Sequence, residues 1–163
     1  MRKICIALPL LCLAGVLAFA ALAGDGYSID TPYAYPVTTD MPEWAALGSL
    51  SQKLEACQIP EDILPELTTP ALIETVLDYP LAVNLYAYVE PFKGLEAGAE
   101  TVSRQFNGLA ELLRRQREDP KGTNAALAER LSLVPGSDEE DFESAYARDL
   151  LTCLLEGSTV SES

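Results

Sequence analysis

Thr68-Thr69-Pro70-Ala71-Leu72-Ile73-Glu74-Thr75-Val76-Leu77-Asp78-Tyr79-Pro80 reads as one helix with both ends marked. A threonine, Thr68 or Thr69, supplies the oxygen that satisfies an orphan N–H. Leu72, Ile73, Val76 and Leu77 recur at helical steps on one face, with Glu74 and Asp78 on the other. Pro80 ends the run. The same grammar of cap, apolar stripe and breaker recurs on both sides of this stretch, so the fold class is all-α.

Upstream, Asp40 and Glu43 have capping-box spacing with Pro42 between them. They predict a helix burying Trp44, Leu47, Leu54 and Cys57. Pro60 and Pro65 bracket a short turn, Glu61 to Leu64. Downstream, Leu81 to Val89 is the most apolar stretch outside the leader, with Asn84 inside it. Val83, Leu85, Ala87 and Val89 alternate as in a strand, but helical neighbours on both sides favour a buried central helix. Lys93 to Phe106 reads as the next helix, and Asn107-Gly108 as a break and a new cap. Leu109, Leu112 and Leu113 then form a stripe, with Glu111 and Arg115 paired across one turn.

Asp119-Pro120-Lys121-Gly122 is expected as a loop, with Thr123 capping a short helix through Leu127 and Leu131. Pro135-Gly136 breaks again. Ser137 and Glu140 repeat the box spacing before a last helix that buries Phe142, Ala145, Tyr146, Leu150, Cys153 and Leu154. The expectation is seven to eight short helices over residues 40–156, as an irregular bundle or a compact stack, without internal repeats. Residues 24–39, with Tyr27, Pro32, Tyr33, Tyr35 and Pro36, read as an extended tether or strap. Residues 157–163 read as a disordered tail.

Residues 1–23 carry an address. Arg2 and Lys3 precede an apolar run from Ile4 to Leu22, and small residues lead up to a cut after Ala23. That pattern predicts a secretory signal peptide. The run is also close to the roughly 20 residues that span a bilayer, so an uncleaved anchor is the other reading. Either way the domain is exported, to the cell envelope or beyond, and touches membrane only through an uncleaved leader. Loss of Arg2 and Lys3 removes two positive charges and takes the formal charge from −14 to −16. So acidic a chain has no basic face for nucleic acid or anionic lipid.

The sequence contains no histidine. Ser-His and Cys-His catalytic pairs and His-containing zinc sites are therefore excluded. Cys5 and Cys12 lie in the leader, leaving Cys57 and Cys153. In an exported chain these could form a disulfide worth on the order of 4 kcal/mol, or serve as small apolar side chains in helix interfaces. No cofactor or metal is expected. Asp138-Glu139-Glu140-Asp141 lacks the alternation and the glycine of a calcium loop, and suits the positive end of a helix dipole.

Three constellations remain as candidate sites. Glu74 and Asp78 share a helix face and could serve carboxylate acid–base hydrolysis, provided a cleft holds a substrate between them. Arg114, Arg115 and Arg117 form the basic cluster of this acidic protein. They could contact a partner, although internal pairing with Glu111, Glu118 and Asp119 is favoured. Tyr79, Tyr86 and Tyr88 flank the apolar segment and are expected in the core.

Cys57-Gln58-Ile59-Pro60-Glu61-Asp62-Ile63-Leu64, then Glu74-Thr75-Val76-Leu77-Asp78-Tyr79-Pro80-Leu81, then Phe106-Asn107-Gly108-Leu109-Ala110-Glu111-Leu112-Leu113 follow one another. This succession resembles a family of uncharacterised exported bacterial proteins with a helical domain of unknown function. The resemblance covers residues 44–117 and implies export and helicity, with no catalytic residues to carry over. The chain departs from that pattern at Pro70-Ala71, where relatives carry acidic residues after the cap.

The function expected is that of an exported, non-catalytic binding domain whose partner is another protein or an envelope component. The alternatives are a small carboxylate-dependent hydrolase and a structural accessory domain of an envelope complex.

Overall fold

A computed structural model of the chain describes residues 28–82, 104–136 and 141–160. These residues form α1 (Pro42–Ala46), α2 (Leu50–Ala56), a 3₁₀ turn (Leu64–Glu66), α3 (Thr69–Leu77), α4 (Asn107–Glu118), α5 (Pro120–Ser132) and α6 (Phe142–Val160). Six α-helices therefore stand among the described residues where seven or eight were expected, and none of these residues forms a strand. The expected helices at 81–89 and 93–106 fall almost wholly outside the described residues. Arg104 and Gln105 form a turn. The leader, Ser137 to Glu140, Asn84, Tyr86 and Tyr88 also lie outside them.

The opening stretch folds with Thr68 as N-cap, its hydroxyl accepting the N–H of Ala71. Elsewhere the caps differ from expectation. Met41 precedes α1 without a side-chain cap bond, and Asp40 instead accepts the Thr38 hydroxyl. The single helix expected from Asp40 to Cys57 is two, parted at Leu47-Gly48, and neither buries a residue within its span. Trp44 and Lys53 meet as a cation–π pair, 5.1 Å apart.

The expected Asp119–Gly122 loop is the first turn of α5. Asp119 accepts the N–H of Gly122 at 3.0 Å with Pro120 at the start of the helix, so Thr123 is a buried interior residue rather than a cap. Asp141 caps α6 by accepting the Ser144 N–H at 2.9 Å. That helix runs to Val160, past Gly157 where a tail was expected. Continuing a formed helix gains one hydrogen bond per residue fixed, so small residues alone do not stop it.

The core is assembled by α3 packing on α4 and α5, α4 on α5, and α5 on α6. Leu72, Ile73 and Val76 of α3 meet Leu109 and Leu112 of α4, Leu127 of α5, and Leu150, Leu151 and Leu154 of α6 in one buried cluster. Gln116 is buried among the helices and donates to Asn124 Oδ1 (2.7 Å) and the Leu154 carbonyl (2.9 Å), tying α4 to α5 and α6. Tyr79 stacks on Phe106 with centroids 3.9 Å apart. Gly108 lies under that stack. A Cβ there would come within 2.5 Å of the Phe106 ring and 2.9 Å of Ile59, so close approach explains the glycine.

Asn107 does not cap α4. Its amide side chain accepts the Ile59 N–H at 3.0 Å and donates to the Ile59 carbonyl at 2.7 Å, pairing with that backbone as a strand neighbour would. Residues 28–39 lie across α3, beginning with a parallel bridge between Ile29 and Leu67. Ala71 and Thr75 are thereby buried along with the predicted stripe, while Leu77 is only partly covered.

Candidate functional site

The C-terminal ends of α3 and α5 converge on the N-terminal end of α6 and leave a cleft of about 540 Å³. Glu74, Leu77 and Asp78 line it from α3, Arg130, Leu133 and Val134 from α5 and the residues after it, and Asp141, Phe142, Glu143 and Tyr146 from α6. Thr38 and Thr39 of the strap complete the wall.

Helical spacing places Glu74 and Asp78 one turn apart on α3, and Asp78 is its C-cap, donating its N–H to the Glu74 carbonyl. Arg130 reaches across from α5 and forms an ion pair with Glu74. Among the described residues Asp78 forms no such ion pair. The residue is exposed at the mouth, yet the surrounding protein strips hydration from its carboxyl and raises its pKa. Glu74 and Glu143 push the same way, and Arg130 opposes them. A carboxylate at a helix C-terminus is also on the unfavourable end of the dipole. By contrast, the Asp141 carboxyl is held below its usual range by the hydrogen bonds it accepts from Ser144, backbone first. Tyr146 is buried at the cleft floor, where desolvation followed by Tyr79 raises its phenol.

Two apolar side chains at the rim are exposed, Leu133 at 71% and Phe142 at 56%. Phe142 was expected in the core. It stacks instead on Tyr146, centroids 6.5 Å apart, at the outer end of α6. Arg148 donates to the Pro135 carbonyl and so holds the rim beside Leu133.

The other sequence candidates are not drawn into this cleft. Arg114 pairs with Glu111 at 2.7 Å and with Glu118, and Arg115 pairs with Glu111 at 2.8 Å. Arg115 also donates to the carbonyls of Leu67 (2.6 Å) and Leu64 (3.3 Å), fixing the 3₁₀ turn against α4. Arg117 is exposed on the same helix. Glu111 is held below its usual pKa, chiefly by the Arg114 hydrogen bond and, against some desolvation, by Arg115.

Cys57 and Cys153 are not bonded to each other in the structure. Cys57 is fully buried after α2, and burial pushes its thiol up to about 11. Cys153 is partly exposed on α6, where desolvation and the nearby Glu156 and Asp149 raise it. Asp138, Glu139 and Glu140 lie outside the described residues. Among the described residues no group of three or more acidic or thiol side chains is placed to hold a metal ion. Among them, no helix is long and apolar enough to cross a membrane.

Sequence reasoning identified Glu74 and Asp78 but missed Arg130, Leu133 and the strap threonines. Arg130 carries no local signal, because its partner is 56 residues away. The fold and site together define an all-α domain with an acidic cleft rimmed by exposed apolar side chains. No family model, curated protein or solved structure matches the chain.

Proposed function

We propose that the chain is an exported, non-catalytic binding domain that takes a partner protein or envelope component at the cleft between α3, α5 and α6. The observation that carries this reading is the pairing of exposed Leu133 and Phe142 on the rim of one concave site. Large apolar side chains left in water around a concavity are what an interface core is built from. The leader supplies the export, and the acidic charge of the chain disfavours nucleic acid and anionic lipid as partners. Capture of envelope and extracellular components on wild-type protein and on Phe142→Asp tests the site. Loss of a stoichiometric partner from the variant, with helicity retained, is expected. Equal capture by both forms would remove the cleft from the binding surface.

A second reading is favoured by one observation: Glu74 and Asp78 do line a cleft, and Asp78 retains its proton to higher pH than an ordinary aspartate. An acid of raised pKa beside an ion-paired carboxylate is the arrangement used in glycoside hydrolysis. Hydrolysis of an envelope polysaccharide that disappears in both Glu74→Gln and Asp78→Asn would establish this reading over simple binding.

A further inference from the structure

Two of the hydrogen bonds that hold the strap over α3 end on one residue. The Ile29 N–H donates to the Glu66 carbonyl (2.7 Å) and the Thr68 N–H to the Ile29 carbonyl (2.9 Å). Further along, the Tyr33 N–H donates to Thr75 Oγ1 at 2.9 Å, and the Tyr35 hydroxyl donates to the Thr75 carbonyl at 2.9 Å. Thr75 is fully buried in the middle of α3. Its own hydroxyl proton goes to the Ala71 carbonyl at 2.7 Å, which leaves the oxygen facing Tyr33 as an acceptor. The rings of Tyr33 and Tyr35 meet edge to face at 5.3 Å, and Tyr35 meets Tyr79 at 6.3 Å. Beyond Tyr35 the chain turns at Thr38–Met41, and Thr38 and Thr39 form one wall of the cleft.

An extended segment makes no internal ladder, so among the described residues its order rests on these contacts and on the packing of Ile29, Tyr33 and Tyr35 against the core. It continues into α1 and α2, which bury no residue. Segments of this kind open at lower free energy than the helices they cover. We propose that residues 28–39 are a latch keyed to Thr75, which opens without unfolding α3 to α6 and whose docking completes the cleft. A ligand that touches Thr38 and Thr39 then holds the latch shut, and by linkage an open latch weakens that ligand by the same factor. The ligand's existence rests on the binding reading above, whereas the latch does not.

Amide hydrogen exchange on the full chain without any ligand tests the latch. The Ile29 and Tyr33 amides are expected to exchange at least about tenfold faster than those of Leu112 and Leu127. Thr75→Val removes the acceptor for Tyr33 and is expected to speed both strap amides a further ~5-fold, with Leu112 and Leu127 still exchanging at least about tenfold more slowly than the strap. The methyl signals of Leu133 and Val134, which line the same cleft, should shift in the same variant. Tyr35→Phe removes only the hydroxyl and gives the same readout should Thr75→Val not fold. Strap amides that exchange together with the helices would overturn the latch, because the strap would then belong to one cooperative unit. Faster strap exchange with unmoved Leu133 and Val134 methyls would overturn its coupling to the cleft. Every readout is free of ligand, so a failed capture would sink the binding reading and leave the latch standing.

Discussion

The N-terminal arm, residues 28–56, and the helices α3 to α6 are ordered by different means. Within α1 and α2 no residue is buried, and the strap buries Tyr35 alone. In the core, α3 alone buries five residues, and its neighbours supply leucines from three further helices. The arm is attached by hydrogen bonds, aromatic edges and the partly covered Ile29, Tyr33 and Trp44 around one buried residue, Tyr35, whereas the core is held by continuous apolar burial. Hydrogen bonds contribute about 1 kcal/mol each, while a buried leucine contributes several times that when its cavity cost is included. Arm contacts are therefore individually breakable, and core contacts are not.

The largest expected effect falls on the core. Leu72→Ala should cost about 3–5 kcal/mol in denaturant unfolding, since Leu72 is fully buried on α3. Trp44→Ala, in the arm, should cost about 1 kcal/mol, because its ring is only partly covered. Equal losses at the two positions would erase the contrast between the regions. Gly108→Ala should cost about 1–3 kcal/mol, as the Phe106 ring must leave its stack on Tyr79 to admit a methyl group.

The thiols sharpen the same contrast kinetically. Cys57, buried with a thiol pushed up to about 11, should resist alkylation in the native protein at pH 8. Cys153, partly exposed, should react first. Intact mass after unfolding and alkylation should show every cysteine of the chain modified. A mass two units lower for each pair left unmodified would instead show a Cys57–Cys153 disulfide.

The smallest effect is expected at the cleft. A carboxyl whose folded pKa is raised stabilises the fold below its unfolded pKa, and that contribution is lost as pH rises through the folded pKa. Asp78→Asn should therefore raise stability slightly at pH 7, by less than about 1 kcal/mol at so exposed a site. The advantage should fade as pH falls through the carboxylate range, where wild-type Asp78 takes up its proton. An advantage that grew with acid would show that Asp78 is instead stabilised as the anion.

Helix placement was legible where the signal is local. Thr68 marks the start of α3, Leu109 and Leu112 mark the buried face of α4, and Glu111 with Arg115 marks its outer turn. Caps were less legible, because several residues with the right oxygen compete at each helix start. Asp119 outcompetes Thr123, while Asn107 spends its amide on Ile59 rather than on its own helix. Phe142 was misplaced because a helical stripe says which residues align, not whether a neighbour reaches the end of the stripe. Thr75 fell on no predicted apolar face, and became buried only because the strap crosses α3 there.

The sequence by itself determined the all-α class, the helix α3 and its cap, and the exclusion of histidine chemistry. These follow from period, breakers and composition, which act over a turn or two of chain. Tertiary structure alone decided that Arg130 meets Glu74, that Asp78 opens onto a cleft, and that Thr75 anchors the strap. Each joins positions about 40 residues apart or more, or depends on where helices end in space. Such pairings are selected by packing of the whole chain, and no local pattern encodes them.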